Sequence, residues 1–283
     1  MLIELLGIPQ NASEHGFQID QMMEFIHWIM LVLFVGWSTF FVITLVKFRR
    51  KANPKADYLG ARSKASTHLE FMVVLVESIF LLGFGIPIWN KRVNGVRPDT
   101  DAMRIRVVAQ QFLWNFHYPG PDGVFGPRRI ELVSNTNPLG LDLTDPTAQD
   151  DLVVINEAHL PVNRNVIIEI NSKDVIHSFA IKNMRIGQDA IPGMTTPVWF
   201  KPIRTGSFEI VCAQLCGSSH YAMKGMLVVD SEEDFESWEK EMQSLKAPPA
   251  SASSTRDAAP AAPVSAAHSA EKSAPAVAAV RGA

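Results

Sequence analysis

Cysteine is scarce in this chain: Cys212 and Cys216 are the 2 cysteines among 283 residues. A disulfide framework needs more cysteines at wider spacings, so this close pair points to local metal or redox chemistry. Lys and Arg are absent from residues 1–22. A secretory leader requires a basic start, so this segment is expected to be retained. No excess of base exists either: 26 Lys and Arg against 29 Asp and Glu leave a formal net charge of −3. That balance argues against a general nucleic-acid binder. No Cys-x-x-Cys-His occurs, so no c-type haem is expected on this chain.

What the chain has is apolar residues, 47% of the total, collected largely in two runs. Phe25 to Val46 and Phe71 to Trp89 are each long enough to cross a bilayer as a helix. Neither run shows the polar stripe of an amphipathic surface helix, although a wholly apolar core helix is a competing reading. The expected layout is an outer tail at 1–22, a membrane helix at 23–46, a loop at 47–69 and a second membrane helix at 70–90. The loop carries Lys47, Arg49, Arg50, Lys51, Lys55, Arg62 and Lys64. By the positive-inside rule it lies in the cytoplasm, and both the N-terminus and the region after Trp89 lie outside. Trp28 and Trp89 suit an outer interfacial belt. Glu77 sits deep in the second span, where an acid is costly, and is expected to face a partner protein.

Residues 91–246 read as one β-rich domain. MRIRVVAQQFLWNFHY, DLVVIN, NVIIEI, HSFAI, PVWFKP, SFEIVC and GMLVVD are β-branched or aromatic runs separated by turn residues. Such a series suggests a sandwich or small barrel. Residues 231–245 open with Ser and acids, and place Phe235, Trp238 and Met242 at helical spacing, so they read as a closing helix. The Ala- and Pro-rich stretch 247–283 lacks large apolar residues and is expected to be a disordered tail.

The chemistry concentrates between Cys212 and Met223, where CAQLCGSSHYAM brings two thiols, the imidazole of His220 and a thioether into one short segment. Soft and borderline donors of this kind favour copper. His177, in DVIHSF, stands at an expected strand start and can supply a second imidazole. Other readings remain: a vicinal disulfide, a structural zinc site, or a mononuclear blue-copper site with one Cys, two His and an axial Met. Zinc has no need of Met223, and a second thiolate exceeds what one blue copper uses. His117 and His159 read as structural or exposed.

Two spans, DVIHSF, DAIPG and the Cys-to-Met loop together resemble the cytochrome c oxidase subunit II family over about residues 20–245. The resemblance implies a two-helix membrane hairpin followed by an all-β, cupredoxin-like Greek-key sandwich. It implies a binuclear copper centre, CuA, with two coppers per chain. Cys212 and Cys216 would bridge both metals, and His177 and His220 would each bind one. The Met223 sulfur and the Gln214 carbonyl would be weak ligands. The implied function is the electron-input subunit of a respiratory oxidase in the bacterial plasma membrane. It would take electrons from cytochrome c or a docked cytochrome complex and pass them to haem in subunit I. Oxygen is then reduced to water with proton pumping, and subunit III is a further partner.

The same resemblance implies electron entry at Phe112 and Trp114, donor docking at Asp174, contact with subunit I at Asp189 and proton entry at Glu70. This sequence departs from the family's usual pattern in places. Phe112 stands where the first of several aromatic residues is usually Trp. Gln214 replaces a Glu that bridges to a magnesium or manganese ion, which puts that ion in doubt. Val73 and Val74 follow Glu70 where Trp and Thr are usual. Other functions on related architecture are a copper-free quinol oxidase subunit, a CuA domain serving nitrogen-oxide reduction, and a membrane-tethered copper chaperone. The two cysteines argue against the first and the two-span anchor against the second.

Overall fold

A computed structural model describes residues 2–55, 58–60, 63–95 and 101–246. The stretch expected as a disordered tail, 247–283, lies outside the described residues. Helix α1 spans Gly16–Lys47 and helix α2 spans Ala65–Val93. Their apolar windows have mean hydropathies of 2.4 and 2.3 with no residue buried within the chain, as expected of surfaces solvated by lipid. Both helices overrun the expected limits of 23–46 and 70–90. The first turns of α1 carry Gln18, Asp20 and Gln21, which hydropathy does not register. Within α2 the chain widens into one π-turn at Leu81–Gly85 before Pro87. That proline lacks an N–H, and the wider turn is a common accommodation within a helix.

Among the described residues, ten strands build two five-stranded sheets. They are β1 (Met103–Gln110), β2 (Leu113–Tyr118), β3 (Leu152–Ile155), β4 (Glu157–Pro161) and β5 (Val166–Ser172). They continue as β6 (His177–Ile181), β7 (Ile186–Ala190), β8 (Thr196–Phe200), β9 (Gly206–Cys212) and β10 (Lys224–Asp230). One sheet has the order β3-β2-β1-β5-β8 and the other β4-β10-β9-β6-β7. Period-two alternation explains their packing: Ile105, Val107 and Ala109 of β1 point into the core, while Arg104, Arg106 and Val108 face the other side of the sheet. Trp114, Phe116, Ile168, Ile170, Phe179 and Ile210 fill the space between the sheets. The 119–151 connection covers the back of the first sheet, packing Leu139 and Leu141 on Val108.

The expected run at 103–118 is two strands rather than one, paired as a hairpin from Gln110 and Leu113 outward. Strands β4 and β7 escaped the sequence reading; both are sheet edges and carry Pro161 or Gly187. Helix α3 (Glu232–Leu245) closes the domain where expected, with Ser231 accepting from the Asp234 N–H as its N-cap.

The segment before α1 is stitched to the β-domain. Ala12 and Ser13 are buried, the Ser13 hydroxyl donates to the Met184 carbonyl at 2.7 Å, and Arg185 binds Asp20 through Nε at 2.6 Å. From the other end, the Arg92 guanidinium of α2 stacks on Trp199 of β8. The β-domain is thus tied to both helices.

Candidate metal centre

Strands β6 and β9 are neighbours, with Phe179 opposite Cys212. His177 lies two residues before Phe179, so its side chain shares a face with it and leans towards Cys212. The Cys212 Sγ to His177 Nδ1 distance is 3.9 Å. The loop after β9 turns back through a single 3₁₀ turn at His220–Ala222 and returns as β10. The Cys212 N–H donates to the Met223 carbonyl at 3.3 Å, which closes the loop.

That closure gathers the remaining donors. Cys212 Sγ and Cys216 Sγ lie 3.7 Å apart, well beyond a disulfide bond. Cys216 Sγ lies 3.5 Å from His220 Nδ1 and 3.7 Å from Met223 Sδ. The Gln214 carbonyl lies 3.1 Å from Cys212 Sγ, while the Gln214 side chain points to solvent. Each thiol therefore has its own imidazole nitrogen, with the thioether and the carbonyl at opposite flanks. Among the described residues, the ligand atoms of His177, Cys212 and Cys216 lie within 4.8 Å of one another. All three residues are buried.

This donor set fits copper. Two thiols, two imidazoles and one thioether are soft or borderline ligands, and the cluster of His177, Cys212 and Cys216 includes no carboxylate of the kind hard cations prefer. Burial, reinforced by the neighbouring Cys212 thiol, pushes the Cys216 thiol up to about 11, so a bound metal must displace its proton. Packing fixes the loop: Gln111 Nε2 donates to the Cys216 carbonyl at 2.6 Å. Gly217 has φ +147°, and a Cβ there would lie 2.7 Å from Gln111 Nε2 and 2.9 Å from Phe112 Cζ. Only glycine lets the backbone pass so close.

Asp174 is aimed inward. Its Oδ1 lies 2.8 Å from His177 Nε2 and its Oδ2 accepts the Gln111 N–H at 2.7 Å. Burial pushes its carboxyl upward, but hydrogen bonds from His177, Gln111 and Val175 outweigh this and hold it below the usual range. Its side chain is still 31% exposed. Trp114 is wholly buried, edge-on to His177 at 6.1 Å and to Phe179 at 5.2 Å. Phe112 is partly buried and reaches nearer the surface. Glu70 and Asp189 are exposed, on α2 and β7 respectively, and neither belongs to the centre. Sequence reading missed the rim: Val175, Ile176, Leu215 and Tyr221 are exposed, and each lies within two residues of a candidate ligand.

His117 and His159 stand apart from the centre, as structural residues. His117 is buried against Asp151 at 2.6 Å, and His159 stacks on Trp238 while its Nδ1 meets Asp230 at 2.7 Å.

Comparison with known proteins gives a consistent picture. Residues 103–231 match the family model described as the periplasmic domain of cytochrome c oxidase subunit II. The chain is 33% identical over 228 residues to the alternative cytochrome c oxidase subunit 2 of Bradyrhizobium diazoefficiens, covering 80% of each chain. It is 27% identical over 266 residues to cytochrome c oxidase subunit 2 of Thermostichus vulcanus, covering 86% of this chain and 80% of that one. Among solved structures, the periplasmic domain of cytochrome oxidase subunit II from Bradyrhizobium japonicum is 28% identical, with a TM-score of 0.39, covering 52% of this chain and 98% of that one.

Proposed function

The chain belongs to the cytochrome c oxidase subunit II family, and on that premise we propose that it is the electron-input subunit, holding a binuclear copper centre between a cytochrome donor and haem in subunit I. It is a component of an oxidoreductase complex of respiratory electron transport, in a bacterial membrane. The observation that carries the proposal is the pair of buried thiols 3.7 Å apart, each with one imidazole nitrogen beside it.

His177, Cys212, Cys216, His220 and Met223, with the Gln214 carbonyl, would hold the metals. Copper bound there supplies a one-electron carrier whose charge is shared between two ions. The chain's own residues keep that site rigid and dry. β6 and β9 fix His177 and Cys212 on a hydrogen-bonded sheet, and Gln111 braces the loop at Cys216. Rigid ligands cost little to reorganise when an electron arrives or leaves. Asp174 holds the His177 ring by accepting from Nε2, which leaves Nδ1 directed at Cys212.

Electron entry is assigned to the side where Phe112 meets Gly217, with Trp114 packed behind it against His177. The exposed apolar rim of Val175, Ile176, Leu215 and Tyr221 favours close protein contact there. Asp174, partly exposed, can face a donor while it holds the ring. Glu70, near the start of α2, is assigned to proton entry on the cytoplasmic side, with the N-terminus and β-domain outside. Oxygen reduction and proton pumping belong to the assembled complex, with subunits I and III as partners.

The test is Cys216→Ser in the assembled oxidase. Oxygen consumption driven by reduced cytochrome should disappear, while a small reductant that bypasses the β-domain should still reduce the partner's haem. Undiminished cytochrome-driven turnover would overturn the proposal.

A further inference from the structure

Arg185 joins the β-domain to the opening of α1. Its Nε donates to Asp20 Oδ1 at 2.6 Å and its Nη2 to Asp20 Oδ2 at 3.1 Å. The same guanidinium donates to the Pro9 carbonyl at 2.7 Å and to the Lys182 carbonyl at 2.6 Å. All three guanidinium nitrogens are thus engaged, and the side chain is only 7% exposed. A forked arginine–carboxylate pair carries direction as well as strength. Gly16, at the start of α1, leaves room for it: a Cβ there would lie 2.9 Å from Arg185 Cγ.

The arginine makes this contact at a cost. Its φ is +52°, in the left-handed region that a long side chain rarely adopts. Strain of that kind persists where the surroundings hold it, and it gathers at functional positions. Arg185 ends the turn of the β6–β7 hairpin, whose far end pairs Ala190 with His177. The 5 residues of β7, roughly 16 Å of strand, therefore separate Arg185 from the partner of a candidate ligand. The segment before α1 grips the same end of the domain. The Ala12 N–H donates to the Asn183 carbonyl at 2.8 Å, and the Ile203 N–H to the Ala12 carbonyl at 2.9 Å. Ala12 precedes α1, whereas Asp20 lies inside it, so the arginine fixes the helix itself.

We propose that Arg185 is a positioning residue for onward electron transfer: it locks the β6–β7 hairpin to α1 and so sets the height and tilt of the candidate metal centre over the membrane. The inference rests on the electron-input reading above. Transfer between two centres falls steeply with their separation, and a small displacement far from the chemistry is enough to slow it. The hydrogen bonds of Arg185 reach neither a candidate ligand nor Phe112. The latch therefore acts on the step towards haem and not on the entry step.

Arg185→Gly tests this, because glycine accepts the left-handed backbone and keeps the turn while removing the latch. In the metal-free full chain, the amides of Ala12 and Ile203 should exchange hydrogen roughly a hundredfold faster, the size expected when a nearly buried ion pair is broken. Exchange at Ile168 and Ile170, in the core, should stay as it was. In the assembled, copper-loaded oxidase, reduction of the copper by cytochrome should keep its rate, while transfer from copper to haem should slow about tenfold. Asp20→Asn should reproduce both effects, and the double variant should be no worse than either alone, since each removes the same contact. Unslowed transfer to haem in Arg185→Gly, or a double variant whose losses add, would overturn the proposal. So would equal slowing of both electron steps or faster exchange throughout the core, the marks of a merely structural role. Failure of the electron-input reading shows separately, in an unaltered oxidase whose copper cytochrome does not reduce.

Discussion

The Asp174 carboxylate accepts from His177 Nε2 at 2.8 Å, and this one bond decides which nitrogen of the ring is offered to a metal. With Nε2 protonated and held, Nδ1 keeps its lone pair towards Cys212. Asp174→Asn should therefore still fold, but bind copper roughly 10- to 100-fold more weakly, the usual cost of losing such a partner. Competition against a calibrated copper chelator measures this. Equal affinity would mean that packing alone orients the ring.

Trp114 is wholly buried between His177 and Phe179, so it cannot itself be a donor's contact surface. Trp114→Ala should lower the stability of the β-domain by about 3–5 kcal/mol, the range for an aromatic removed from a packed core. Denaturant unfolding reads this directly. Phe112→Ala, at a partly buried position, should cost much less stability and still slow reduction by a cytochrome. Unaltered reduction would move electron entry to the Leu215 and Tyr221 rim.

Much of this architecture was legible in the sequence, for physical reasons that differ by element. The spans announce themselves because lipid tolerates almost no polarity over their length. The polar opening of α1 did not, since Asp20 is satisfied by Arg185, a partner far along the chain. Strands β4 and β7 were missed because edge strands tolerate Pro and Gly, which read as breakers in a sequence. The candidate ligands were readable because four side-chain donors lie in one short segment and soft donors are uncommon. What Asp174 does was not readable, because a carboxylate three residues before a histidine can face solvent as easily as the ring. Only the strand that starts at His177 turns them together.

His117 offers a pH test outside the centre. Burial lowers its pKa, and the hydrogen bond to Asp151 only partly opposes this. The folded chain then binds this proton less readily than the unfolded chain, whose His titrates near 6.5. The stabilising contribution is full above that value and is lost as pH falls from 6.5 towards the lower folded value. Unfolding free energy measured between pH 8 and pH 5, about the window where histidine titrates, should fall on acidification, and His117→Gln should flatten that slope. An unchanged slope would assign the acid sensitivity elsewhere.

Gln214 separates two roles that a glutamate would combine. Its carbonyl lies 3.1 Å from Cys212 Sγ, whereas its neutral side chain faces solvent. Magnesium and manganese favour charged oxygen ligands. The oxidase prepared with manganese should show no manganese resonance assignable to this position, and Gln214→Glu should create one without altering the copper spectrum. A stoichiometric signal in the unaltered oxidase would contradict this.

The most direct test of the account is the number of coppers and the sharing of their charge. The full chain loaded with copper should bind about two metals, as its two thiols and two imidazoles allow. Its electron paramagnetic resonance spectrum should show one unpaired electron spread equally over two copper nuclei. Cys212→Ser and Cys216→Ser should each abolish that pattern. A single copper per chain with the hyperfine pattern of one nucleus would contradict a binuclear centre.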